Sequence, residues 1–168
     1  SGCKPFDKMR KGISIGEGSG ALLLASGKAV KHLRAEPMAF ISGWGASADC
    51  HHMTAPHPEG DGAIRAALAA LKEAQLKPGD IGMIAAHGTG TTDNDFAEIT
   101  AMRSIFLPLP PFYSLKGTFG HTLAASGALE SVFSICALNK NVIPKTAGFK
   151  VADEAIKASP SIFHNQNV

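Results

Sequence analysis

The sequence predicts an α/β layered domain, and three observations carry that reading. Short apolar runs alternate with segments whose apolar residues recur at helical spacing, the pattern of a sheet covered by helices. Among 168 residues there are 18 glycines, which suit tight strand-to-helix turns and close backbone approach. Hydrophobic residues make up 45% and charged residues 18%, the balance of a chain that buries a core.

Taken in order, residues 4–20 are glycine-rich and polar, and Ala21-Leu-Leu-Leu-Ala25 reads as a buried strand. After Pro37, the run Met38 to Ala46 reads as a second strand bent by its glycines. Residues 49–60, with Pro56, Pro58 and Gly60, form a loop carrying His51, His52 and His57. From Asp61 to Lys77, Ile64, Ala67, Leu68, Leu71 and Leu76 fall at helical spacing, and Pro78-Gly79 ends the helix. Ile81–Ala86 is a short strand buried on both faces. Asp93 to Phe106 is a helix capped by Asp93 or Asn94 and stopped by Pro108 to Pro111. Residues 121–139 make a third helix, small at first (Ala124, Ala125, Gly127, Ala128) and bulky later (Val132, Phe133, Ile135, Leu138). Small residues allow close approach, so this helix is expected in the middle of the fold. Beyond Pro144 the chain is a loop, and Ser161-Ile-Phe-His164 starts a strand.

The length is that of a single domain, 1–168. A net charge of +2, spread without a block of like sign, gives no electrostatic case for nucleic acid or a membrane surface. No apolar stretch approaches the roughly 18 residues needed to cross a bilayer. The first residues lack a signal peptide's apolar core. Cys3, Cys50 and Cys136 have neither metal-type nor paired spacing, so reduced thiols in the cytoplasm are expected.

The chemistry concentrates on two glycine-hedged histidines separated by 33 residues. His87 follows a buried strand and opens His87-Gly-Thr-Gly-Thr91, at the carboxyl end where α/β folds place ligands. His121 follows Gly120 at an expected helix start, where a neutral imidazole is favoured. Two such N–H donors can hold a carbonyl oxygen as charge develops on it. Singly, each histidine could equally be a turn or cap residue. Lys116 precedes His121 by five residues, and a surface position is the ordinary one for lysine. Glu98, eleven residues after His87 on the inner helix, needs a cation, and Lys116 is the natural one. Thr89 and Thr91 offer hydroxyls suited to an amide-bearing ligand arm.

Other groupings carry less. Asp49-Cys50-His51-His52 with His57 crowds ligands consecutively, so no metal is expected. Gly16-Glu-Gly-Ser-Gly20 fits neither a nucleophile elbow nor a phosphate loop. Cys136 falls on an apolar helix face and reads as core.

Together, Lys4-Pro-Phe-Asp7, Gly16-Glu-Gly18, Thr54-Ala-Pro-His-Pro-Glu-Gly60, His87-Gly-Thr-Gly-Thr91, Lys116-Gly-Thr-Phe-Gly-His121 and Ile143-Pro144 resemble the C-terminal half of the β-ketoacyl-[acyl carrier protein] synthases. These are condensing enzymes of the thiolase superfamily. The resemblance runs in order from Lys4 to Val168 and implies the C-terminal half of a five-layered αβαβα fold, lacking the N-terminal half and final strand. It implies decarboxylative condensation of an acyl thioester with a malonyl carrier in fatty acid or polyketide synthesis. His87 and His121 match the family's histidines, Lys116 its lysine and Glu98 a glutamate supporting that lysine. Thr89, Thr91 and Thr54 match positions lining the pantetheine path, with His52 beside them. It implies no cofactor and no metal. The implied partners are acyl and malonyl carrier protein, the rest of the enzyme, and a homodimeric or heterodimeric subunit.

The family's nucleophilic cysteine has no counterpart in this chain, and the chain stops before the family's Gly-Phe-Gly-Gly-type loop. A synthase portion inactive by itself is therefore expected. The alternative is a non-catalytic partner subunit of the chain-length-factor type. An enzyme acting on coenzyme A esters is disfavoured, since thiolases carry an Asn-His-Glu type motif in place of His-Gly-Thr-Gly-Thr.

Overall fold

In a computed structural model, residues 2–162 are described, and the last part of the strand expected from Ser161 lies outside them. Five helices and two short strands succeed one another among these residues: α1 (Gly27–Leu33), α2 (Asp61–Ala74), β1 (Ile84–Ala85), α3 (Thr92–Ile105), β2 (Phe112–Tyr113), α4 (Lys116–Phe119) and α5 (Ser126–Asn139). The strands pair in parallel, Ile84 opposite Phe112 and Ala85 opposite Tyr113, with α3 as the crossover. Bonds from Ile84 N to Pro111 O (2.9 Å) and Ala86 N to Tyr113 O (2.8 Å) extend the pairing. On the other side of β2, Ser161 N donates to Phe112 O at 2.7 Å, and Thr146 N to Ser161 O at 2.7 Å.

Apolar spacing decides which faces of α2 and α3 meet. Leu71 of α2 and Ile99, Met102 and the following Phe106 join Phe6, Ala86, Phe112 and Ile156 in the main core. Phe6 and Phe112 cross edge to face, with ring centres 5.1 Å apart, worth about 0.5–1.5 kcal/mol beyond burial. A smaller core gathers Tyr113, Leu115 and Ile143. Phe6 takes a left-handed backbone (φ 63°), unusual for a bulky residue, and is fully buried. Asp95 Oδ2 accepts its N–H at 2.7 Å and sits 3.7 Å from Arg10 Nε. Arg10 in turn bonds Asp153 at 2.6 Å. The segment before the first helix is thereby clasped against α3.

Several expectations change. Helix α3 is capped by Thr91, whose hydroxyl accepts Asn94 N–H, rather than by Asp93 or Asn94. The expected helix over 121–139 is broken: α5 begins at Ser126, and His121 precedes it in an extended bridge with Ile15. Two backbone bonds draw His121 to residues 14–16 and out of helical geometry. Cys136 is exposed rather than core.

Residues 21–25 and 38–46 form no strands, and they are not buried. Leu23, Leu24, Phe40, Ile41 and Trp44 are all exposed. The second segment and the residue just before the first do lie on helices. A Cβ added at Gly45 would fall 2.0 Å from Ala66 O of α2, and one at Gly20 would fall 2.9 Å from Leu129 N of α5. A strand needs a backbone ladder as well as an apolar pattern, and among the described residues no segment supplies that ladder.

Candidate active site

The end of β1 and the turn before α5 bring the two histidines together. Their ring centres lie 5.2 Å apart, with planes at 86°. His87 leaves β1 through Gly88, whose left-handed φ of 46° and lack of a Cβ are both required. A methyl there would meet Ser114 Cβ at 2.5 Å and Phe6 Cε2 at 2.8 Å. Ser114, just past β2, donates its hydroxyl to Gly88 O at 3.0 Å and accepts Lys116 N–H at 3.3 Å.

Lys116 is not a surface lysine; it is 1% exposed at the start of α4. Its Nζ reaches three acceptors: His87 Nδ1 at 3.1 Å, His87 O at 2.7 Å and Glu130 Oε1 at 2.5 Å. An ammonium has only donors, so His87 Nδ1 is an acceptor and the neutral ring carries its proton on Nε2. His121 reaches the same tautomer by another route: Leu123 N–H donates to its Nδ1 at 3.0 Å.

Electrostatics keep both rings uncharged. Burial first, then the Lys116 ammonium and the His121 ring, push the His87 imidazole down to about 4, although the residue as a whole keeps a solvent-facing side. His121 is lowered as well, by burial and Lys116, with Glu130 pulling the other way. At neutral pH the pair offers two neutral Nε2–H donors.

The expected Glu98–Lys116 pair does not form. Glu98 instead accepts His87 N–H at 2.6 Å and Gly88 N–H at 2.8 Å, a carboxylate fork under the loop. Burial first, with the nearby Asp95, holds its carboxyl above the ordinary glutamate value, against the downward pull of those N–H donors and of Lys116. Geometry decides the partner: α3 places Glu98 beneath the loop backbone, and α5 places Glu130 beside Nζ. Sequence reasoning passed over Glu130, yet a signal was present, since it is the only charged residue in the fourteen of α5.

Thr89 and Thr91 share a hydroxyl contact of 2.8 Å; Thr89 is buried and Thr91 caps α3. Both hydroxyls therefore help hold the loop. Thr54 is exposed on the 47–60 loop, where its N–H and that of Ala55 bond His52 Nδ1 at 3.2 Å. Asp49 orders this loop by accepting His57 N–H at 2.5 Å and Gly62 N–H at 3.3 Å. Among the described residues no three His, Cys, Asp or Glu side chains are grouped to hold a metal ion. Cys3 lies buried behind the loop and donates its thiol to Thr89 O at 3.0 Å. Burial pushes that thiol up, opposite to what a nucleophile needs.

The chain matches known proteins. Residues 38–150 fit the family model described as beta-ketoacyl synthase, C-terminal domain. The chain is 39% identical over 156 residues to the putative mitochondrial 3-oxoacyl-[acyl-carrier-protein] synthase of Schizosaccharomyces pombe, covering 89% of this chain and 37% of that protein. It is 40% identical over 149 residues to the 3-oxoacyl-[acyl-carrier-protein] synthase homolog of Saccharomyces cerevisiae, covering 85% and 34%. It is 36% identical over 147 residues to 3-oxoacyl-[acyl-carrier-protein] synthase 2 of Staphylococcus aureus, covering 86% and 36%. The chain thus spans about a third of the length of these curated relatives. Among solved structures, a type II polyketide ketosynthase in complex with its acyl-carrier protein superposes with a TM-score of 0.92 at 30% identity, covering 98% of this chain and 41% of the other. The ishigamide ketosynthase/chain length factor gives 0.88 at 34% identity, covering 93% and 38%. These neighbours are ketosynthases of the thiolase fold, and the chain holds the C-terminal half of that α/β architecture. The chain belongs to the β-ketoacyl synthase C-terminal domain family.

Proposed function

We propose that this chain is the enolate-forming portion of a 3-oxoacyl-[acyl carrier protein] synthase, which condenses an acyl thioester with a malonyl carrier in fatty acid or polyketide synthesis. One observation carries the reading: two adjacent imidazoles, each with Nδ1 already engaged, present neutral Nε2–H donors. The malonyl thioester oxygen accepts both hydrogen bonds. The bond from Cα to the carboxylate breaks, its electron pair moves into the new C=C, and carbon dioxide leaves. The thioester oxygen becomes the enolate oxygen, where the negative charge collects and both donors strengthen their hold. The enolate carbon then attacks an acyl thioester carbonyl, the acyl C–S bond breaks, and the thiolate that had carried the acyl group departs. Lys116 acts through His87 by holding its tautomer, and Glu130 and the carbonyl of His87 hold Lys116. Glu98 sets the backbone from which His87 projects.

The acyl-accepting thiol is assigned outside this chain, because Cys3 is buried with a raised pKa, and Cys50 and Cys136 are exposed elsewhere. The chain by itself is therefore inactive in condensation. Thr54, Thr89 and Thr91 are assigned to the pantetheine path, carrier protein to the docking partner, and a dimer to the working assembly. The ketosynthase neighbours solved with a carrier protein and with chain length factors support partners of that kind. Retention of His87, Lys116 and His121 favours a catalytic subunit over a chain-length-factor-like one. Some relatives are named mitochondrial, so the expected cytoplasmic location does not follow from the family. Among the described residues, no helix is long and apolar enough to cross a membrane.

The test is release of carbon dioxide from malonyl carrier by the synthase polypeptide that contains this chain. Replacing either His87 or His121 by Ala is expected to lower the rate about 10²–10³-fold, as loss of one oxyanion donor does elsewhere. A His121→Ala enzyme that decarboxylates at the normal rate refutes the assignment.

A further inference from the structure

Beyond the histidines and lysine, a pair of hydroxyls stands directly behind His121. Ser126 Oγ lies 3.1 Å from His121 Nδ1, and Thr122 Oγ1 lies 3.2 Å from Ser126 Oγ. Both residues are buried, at 5% and 7% exposure, so water does not compete for these contacts. The direction of the chain follows from its fixed end. Leu123 N–H already makes Nδ1 an acceptor, so the Ser126 hydroxyl also donates to it. With its single proton committed, Ser126 accepts from Thr122. The result is a directed relay, Thr122 O–H to Ser126 O–H to His121 Nδ1, in which each bond polarises the next.

The local backbone is bent to make this possible. Leu123 has φ 52°, a left-handed conformation uncommon for a residue with a branched side chain. Such outliers persist where surrounding structure holds them, often at functional sites. The turn aims the Leu123 N–H at the ring, and the first residue of α5 brings Ser126 to the same nitrogen. Nδ1 lies off the χ2 axis, so a donor fixed to it resists rotation of the ring. The two donors share its single in-plane lone pair from different directions, and together they restrain the ring's plane and tautomer more tightly than either does alone.

We propose that Ser126, oriented by Thr122, is a positioning residue that keeps His121 in its Nε2–H tautomer and holds its donor toward the enolate oxygen. This rests on the reading of His121 as an enolate donor. The experiment uses the full synthase polypeptide labelled with 15N-histidine, comparing wild type, Ser126→Ala, Ser126→Thr and Thr122→Val. Ring-nitrogen spectra report the tautomer, and malonyl-carrier decarboxylation reports kcat and KM separately. Ser126→Ala is expected to move the His121 Nδ1 resonance and lower kcat about 3- to 10-fold at unchanged KM, the effect of one lost hydrogen bond. Ser126→Thr restores most of both, and Thr122→Val gives the same changes at smaller amplitude. The proposal is overturned if Ser126→Ala leaves the Nδ1 resonance and kcat at wild-type values, if the loss lies in KM, or if threonine performs no better than alanine. Should Ser126→Ala not fold, an unchanged ring spectrum in Thr122→Val overturns the relay. A normal decarboxylation rate in His121→Ala refutes the enolate reading, while the ring spectra still decide the role of Ser126.

Discussion

Gly16→Ala is the smallest change that tests how His121 is held. Residues 14–16 and 119–121 meet backbone to backbone: His121 N donates to Ser14 O at 2.7 Å, and Gly16 N donates to His121 O at 3.0 Å. A Cβ on Gly16 would fall 1.8 Å from Phe119 O and 2.9 Å from Phe119 C. Real Cβ contacts stay at or above 3.0 Å, so the seam must open by roughly 1.2 Å. The obstacle is backbone, and no side chain can rotate away. Disturbing both hydrogen bonds costs about 1–3 kcal/mol. Displacing a catalytic donor by about 1 Å costs on the order of 10²-fold in rate. The assay is decarboxylation of malonyl carrier by the synthase containing this chain, alongside its thermal melting. Gly18→Ala is the control, since its Cβ would meet no backbone, only side-chain ends: the flexible tip of Leu129 at 3.0 Å and Thr122 Cγ2 at an ordinary 3.7 Å. Expected is a kcat loss near 10²-fold with a lowered Tm for Gly16→Ala, and near-normal values for the control. A Gly16→Ala enzyme with wild-type kcat and Tm refutes the claim that this seam positions His121.

Three further outcomes are expected. Lys116→Met leaves Glu130 beside an apolar stem and removes the donor to His87 Nδ1; breaking so buried a pair costs about 3–5 kcal/mol, read by denaturant unfolding. For pH, both rings titrate below 6.5, so the decarboxylation rate should start to fall below 6.5 as His121 protonates and be lost as His87 protonates near 4. A lowered folded pKa means the unfolded chain binds protons first, so His87 lowers stability as pH falls from about 6.5 toward 4 and has no such effect above 6.5. A rate profile that breaks at 6.5 contradicts the buried, lysine-facing ring. Expressed alone, the 168-residue chain should associate and bind hydrophobic dyes through Leu23, Phe40, Ile41 and Trp44, and a cooperative melt as a soluble monomer contradicts this.

The Gly-hedged histidines were legible because their chemistry is written in adjacent residues. His87 needs a strand end and two glycines, and His121 needs a close-packed glycine before it; both appear as local patterns. The parallel pairing of β1 was partly legible too, since Ile81–Ala86 is apolar throughout. Its partner Phe112–Tyr113 was hidden by the prolines before it, which mark the end of α3 and carry no signal for a strand of two residues. Residues 21–25 and 38–46 have the apolar pattern of strands, but a ladder needs a neighbour that periodicity along one chain does not supply.

By itself, then, the sequence determined the α/β class, the existence of the helices expected over 61–77 and 93–106 and found at 61–74 and 92–105, and the two histidines. Those features depend on residue type and on local patterns around each residue. Tertiary structure alone decided which carboxylate meets Lys116, because Glu98 and Glu130 lie on different helices and only their packing selects between them. It also decided where the last helix starts, since His121 is drawn into extended backbone contact with residues 14–16 that stand more than a hundred positions away. The tautomer of each ring follows from the same cause. A proton's place on an imidazole is set by the atom opposite Nδ1, and in this fold that atom is a lysine nitrogen for one ring and a backbone amide for the other.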